Sequence, residues 1–136
     1  MYLATPAPLD YAAADTYEPI PGTWVGNELR FFTTSAAGVM TYSGPDNMVL
    51  LFVGSSDLEV SKTCTVYYAL FKNGILLSTQ QTPVEIEHPG HVYGMGITAL
   101  VNLNSGDTLQ IYSKSDDGAA VMTPRTLSVT FWGDHR

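Results

Sequence analysis

The residues with the most chemistry per length in this chain lie in "VEIEHPGH", residues 84–91. That stretch holds two glutamates and two of the three histidines. Carboxylates and imidazoles so close together suit a metal site or an acid–base pair. The spacing argues against both. A strand alternates its side chains, so Val84, Ile86 and His88 fall on one face and Glu85 and Glu87 on the other. Pro89-Gly90 then ends the strand before His91. Bringing all four groups onto one ion would need an irregular loop. The His-x-His plus Glu spacing of metal-binding jelly rolls is absent, and no second cysteine is present to build a structural zinc site. The stretch reads as a strand with a wet glutamate face that runs into a Pro-Gly turn flanked by exposed histidines.

Other catalytic patterns are missing. There is no Gly-x-Ser-x-Gly elbow and no phosphate-cradling glycine loop. Cys64, the only cysteine, sits within an apolar run and reads as a small buried hydrophobe, not a reactive thiol. Asp116-Asp117 precede Gly118 in "SDDG", which is turn chemistry and lacks the alternating oxygen ligands of a dedicated calcium loop. The expectation is a protein that is not an enzyme and carries no cofactor and no metal.

The elements that carry these residues are short strands. "LRFFTT", "GVMTY", "MVLLFVG", "CTVYYALF", "ILLST", "VEIEH", "VYGMGITALVNL", "TLQIYSK", "AAVM" and "TLSVTFW" are separated by the turn clusters "SGPDN", "KNG", "NSGD" and "SDDG". No window offers ten residues of helical period with caps. About nine strands at this spacing predict an all-β fold: an antiparallel β-sandwich with jelly-roll topology over residues 29–136. "VYGMGITALVNL" alternates, with Tyr93, Met95, Ile97, Ala99, Val101 and Leu103 on a single face. In the last strand Leu127, Val129 and Phe131 point inward and Thr126, Ser128, Thr130 and Trp132 outward.

Two strands do not alternate. Residues 48–53 and 64–71 are apolar on both faces, and a sandwich strand has only one face to bury. The second face calls for cover from outside, and another subunit is the natural one. Met48, Leu50, Phe52, Tyr67 and Phe71 are the candidate subunit-interface residues.

Residues 1–28 differ from the rest. They hold four of the eight prolines and show no sustained period, yet carry Tyr2, Leu3, Leu9, Tyr11, Tyr17, Ile20 and Trp24. A disordered tail is poor in aromatics. The segment reads as an extended arm that lies on another surface and anchors there through these seven side chains.

Composition limits the partners. The chain has 136 residues, one ordinary domain, and a net charge of −7 from six Lys+Arg and thirteen Asp+Glu. That balance excludes a phosphate-backbone binder. Only 14% of residues are charged, against a typical ~25%, which suits a surface partly covered by other chains. No basic residue precedes Arg30, so the start lacks a signal-peptide pattern, and no apolar run is long enough to span a membrane. The expectation is a protein made in a cytoplasm and not exported by the usual route.

The order of features resembles a known group. "AAGVMTYSGP", "MVLLFVG", "YYALFKNGILLSTQQTP", "LNSGDTLQIYSKSDDGAAVM" and "TLSVTFWG" look like the jelly rolls of the tumour necrosis factor and complement-globular type, and more closely like their relatives among tailed-bacteriophage structural proteins. The resemblance covers about residues 36–133 and leaves the arm without a counterpart. It implies a homotrimer with one sheet of each subunit around a threefold axis. It further implies a virion structural protein, with the major capsid protein as partner: a decoration (cement) protein on the capsid exterior, made in the host cytoplasm. The alternative is a receptor- or glycan-binding knob of a phage fibre, using Trp132, the tip at residues 88–91 and the turn at residues 115–118.

Overall fold

A computed structural model describes residues 1–26 and 31–135, with the side chains of 78–82, 131 and 133–135 set aside. The described residues form strands and turns, with no helix long and apolar enough to cross a membrane. Twelve strands follow in chain order: β1 (Tyr2–Pro6), β2 (Leu9–Asp10), β3 (Glu18–Pro19), β4 (Gly22–Val25), β5 (Phe32–Thr34), β6 (Met40–Tyr42), β7 (Met48–Val60), β8 (Cys64–Lys72), β9 (Ile75–Ile86), β10 (Val92–Leu103), β11 (Thr108–Ser115) and β12 (Val121–His135). One sheet runs β10-β7-β12-β1-β4, with β2 also on β12. The other runs β5-β6-β11-β8-β9, with β3 also on β11. All pairings are antiparallel, and the two layers form a jelly-roll sandwich.

Alternation decides what is buried. In β7, Met48, Leu50, Phe52, Ser56, Leu58 and Val60 point between the sheets. In β10, Met95, Ile97, Ala99, Val101 and Leu103 do so. Val66, Tyr68, Leu70, Leu109 and Ile111 meet them from the second sheet. The two glycine turns follow from backbone conformation. Asn73 and Gly74 both have positive φ (52° and 76°), as the tight "KNG" hairpin requires. Asp107 fastens this hairpin to the neighbouring "NSGD" turn by accepting from Asn104 N–H (2.8 Å) and Asn73 Nδ2 (3.0 Å), with Lys72 Nζ at 3.5 Å.

Some expected strands join. "ILLST" and "VEIEH" belong to one strand, β9. "AAVM" and "TLSVTFW" largely merge into β12, whose register slips between Pro124 and Thr126. Pro124 has no N–H to give its ladder, and a bulge is where a sheet tolerates one.

The separate arm is corrected. β1 lies between β12 and β4, β2 pairs with β12, and β3 pairs with β11. The chain thus starts in the first sheet, crosses to the second and returns. Of the seven expected anchors, Leu3, Leu9, Tyr11, Ile20 and Trp24 are buried in the sandwich's own core. The physical reason is that each such burial is worth about 1.5–3 kcal/mol, and the chain obtains it without a second molecule. The expected boundary at residue 28 lies outside the described residues.

Candidate functional site

Two surfaces and one turn gather the residues that sequence patterning singles out. The first surface is the outer face of the β10-β7-β12-β1-β4 sheet. Because Met48, Leu50 and Phe52 fill the core at no more than 4% exposure, they cannot touch another subunit, and that expectation is corrected. The opposite parity of β7, Val49, Leu51 and Val53, forms the outer face. Register lines Leu51 up with Leu100 on one side and Trp132 on the other. Leu100 is 69% exposed and Trp132 59%. The next row is Thr98, Val53 and Thr130. The one after it runs Gly96, Ser55, Ser128, Tyr2 and Val25. None of these three rows contains a charged residue. Asp57 stands in the row beyond one edge, where Gly94 and Thr126 flank it. Tyr2, expected as an arm anchor, is therefore exposed on this face.

The second surface is the outer face of β8 and β11. Tyr67 and Phe71 lie here, on the opposite side of the molecule from Leu51 and Trp132, so the five expected interface residues do not form one patch. Phe71 stacks on Tyr112 with ring centroids 3.9 Å apart, and Tyr17 meets Phe71 edge-on at 5.5 Å. Lys114 Nζ sits 5.0 Å from the Tyr17 ring and 4.9 Å from Tyr67, within cation–π range. Burial, then the neighbouring Tyr67, pushes the Tyr17 hydroxyl up to about 12.

The "VEIEHPGH" stretch resolves into two parts. β9 ends at Ile86, which is buried, while Glu85 faces outward. His88–Pro89–Gly90–His91 is then a β-turn closed by the His91 N–H donating to His88 O (3.2 Å), with Gly90 at φ 83°. The Tyr93 hydroxyl accepts from the N–H groups of Glu87 (3.1 Å) and His88 (2.8 Å), and Gly90 N–H donates to Val60 O (3.0 Å). The two imidazole rings are 5.4 Å apart, and both histidines are exposed.

Glu85 and Glu87 share an open cleft of about 530 Å³ with Cys64, Asp116 and Asp117, a juxtaposition that sequence spacing does not reveal. It arises because β8 lies between β9 and β11. The aspartates are occupied by turn duties: Asp116 Oδ1 accepts Thr65 N–H (2.8 Å) and Asp117 Oδ1 accepts Ala119 N–H (2.8 Å). Burial pushes the Cys64 thiol up, and the two aspartates add to this, while a bond to Ser115 works the other way. A thiol held in that state is a poor nucleophile. Among the described residues no three His, Cys, Asp or Glu side chains converge as metal ligands.

Patterning missed the Leu51–Leu100–Trp132 row because both parities of residues 48–53 are apolar, and alternation gives no phase there. The usable signal lay in the neighbours: the phases of β10 and β12 are legible and fix that of β7 between them.

No protein-family model matches the chain, and no curated protein matches it. Solved structures do. The chain is similar to the Eiger TNF of S. frugiperda at TM-score 0.55 and 14% identity, covering 90% of this chain and 88% of that one. It also aligns with the globular domain of a zebrafish complement 1qA protein at TM-score 0.45 and 15% identity, covering 90% and 94%. The jelly-roll sandwich expected from the sequence is thus the fold of this chain, shared with the tumour necrosis factor type.

Proposed function

We propose that this protein is a non-enzymatic assembly domain that forms a homotrimer through the outer face of β10, β7, β12, β1 and β4. The observation that carries this reading is the uncharged block around Leu51, Leu100 and Trp132, in a chain with nineteen Asp, Glu, Lys and Arg residues. An exposed apolar face rimmed by polar residues is the mark of a subunit contact. The role proposed for the trimer is capsid decoration on the exterior of a bacteriophage head, with the major capsid protein as partner. The motifs "YYALFKNG" and "LNSGDTLQIY" support that choice by resemblance. Capsid contact would use loops or the outer β8–β11 face, since the expected arm anchors are largely buried. Light scattering after size exclusion tests the assembly: a mass near three times 14.7 kDa is expected, and a monomer at all concentrations overturns it. Co-sedimentation with undecorated heads tests the role, and failure to pellet with them counts against it.

A second reading is a glycan-binding knob, favoured by the ring cluster of Tyr17, Tyr67, Phe71 and Tyr112 with Lys114 beside it. A glycan array that stays blank at high protein concentration removes it.

A further inference from the structure

The turn at residues 88–91, which the sequence offers as a receptor- or glycan-binding tip, has a further capacity. His88 and His91 occupy positions i and i+3 of a β-turn, which places both side chains beside the same end of the β9–β10 connection. The turn is rigidly held. Its closing bond runs from His91 N–H to His88 O, Gly90 is tied to Val60 O, and Tyr93 Oη receives two N–H groups at its start. Pro89 fixes a further backbone angle. The backbone that carries the two rings is thus already ordered, and only their side-chain rotamers remain to be fixed when both engage one ligand.

The ring separation is one that a shared metal ion allows. A divalent transition metal bonds imidazole nitrogen at about 2.0–2.1 Å with roughly tetrahedral angles, which puts two ring centroids on one ion about 5 Å apart. The observed separation is 5.4 Å. Glu85 and Glu87 precede the turn in sequence and line the neighbouring cleft, so the net charge at this end of β9 is negative.

We propose that His88 and His91 form an exposed two-histidine chelate for a borderline divalent metal of the zinc or copper class. Nitrogen ligands select such ions over calcium and magnesium, which take oxygen donors. No third protein ligand converges on the pair among the described residues, so water or a donor from another molecule fills the remaining positions. Sequence spacing argues against a metal because Glu85, Glu87, His88 and His91 cannot all converge on one ion; this site needs only the two histidines.

Titration calorimetry with Zn²⁺ alone, and with Cu²⁺ alone, tests it on the intact chain. One ion per chain is expected. His88→Ala and His91→Ala should each weaken binding at least tenfold, while His135→Ala leaves it unchanged and Mg²⁺ gives no heat. Both substituted positions are exposed, so unchanged far-UV circular dichroism is expected to show that each variant folds. Absence of Zn²⁺ and Cu²⁺ binding overturns the proposal. So does binding that survives both substitutions, which would locate the ion elsewhere, such as the cleft of Asp116 and Asp117.

Discussion

At the scale of single residues, the sandwich is pinned by a few buried hydroxyls. Ser56 on β7 and Tyr68 on β8 meet across the two layers at 3.1 Å, and the Tyr68 hydroxyl also reaches Met122 Sδ at 3.8 Å. Tyr11 bonds Ser113 at 2.7 Å and ties the N-terminal segment to β11. A buried polar group left alone costs about 1–3 kcal/mol. Tyr68→Phe should therefore destabilise by that amount through the stranded Ser56 hydroxyl, and Ser56→Ala with Tyr68→Phe together should cost less than the sum, read from urea midpoints in a double-mutant cycle. The same tyrosine sets a pH limit. Burial pushes Tyr68 up to about 12 from 10, with the Ser56 bond acting in the other direction, and burial raises Tyr11 as well. A folded-state pKa above the unfolded one means that the native chain holds the proton longer, so stability is intact below pH 10 and falls between about 10 and 12. Thermal midpoints measured across that interval should decline, and Tyr68→Phe should flatten the decline.

At the scale of elements, the first four strands behave as part of the core. Leu3, Leu9, Tyr11, Ile20 and Trp24 together contribute on the order of 7–15 kcal/mol at about 1.5–3 kcal/mol each, against about 5–15 kcal/mol for the net stability of a domain. Deleting residues 1–28 is accordingly expected to leave a chain with no cooperative thermal transition. A deletion variant that melts like the intact protein contradicts this. The sequence announced the long strands well: β10 alternates over ten or more residues and the end of β12 over seven, and Met95, Ile97, Ala99, Val101, Leu103, Leu127 and Val129 are buried as expected, while the side chain of Phe131 lies outside the described residues. It concealed β1 to β4 because strands of two to five residues interrupted by proline leave no period to detect. It also concealed the phase of β7, where Val49, Leu51 and Val53 are as apolar as Met48, Leu50 and Phe52. The glutamates and aspartates of the open cleft were visible singly, but their meeting depends on strand order, which alternation does not encode. The Pro89-Gly90 turn, by contrast, was legible from its residue types alone.

At the scale of the whole molecule, the two faces of the sandwich are unlike. One outer face is uncharged across three rows, and the other carries stacked rings and Lys114. If the uncharged face joins subunits, Leu100→Glu places a charge in its first row without touching the core, since Leu100 is 69% exposed. Size exclusion with light scattering should then give a monomer with wild-type circular dichroism, and added salt should not dissolve the wild-type assembly, because apolar contact is not screened.

The placement of β1 bears on how the chain reaches its fold. Tyr2 pairs with Ser128, and Val129 N–H donates to Met1 O at 2.8 Å. During synthesis the earliest strand must wait, unpaired on that side, until residues more than 120 positions later leave the ribosome. The first sheet therefore closes only once β12 has been made, and the β1–β12 pairing is of the non-local kind that slows folding.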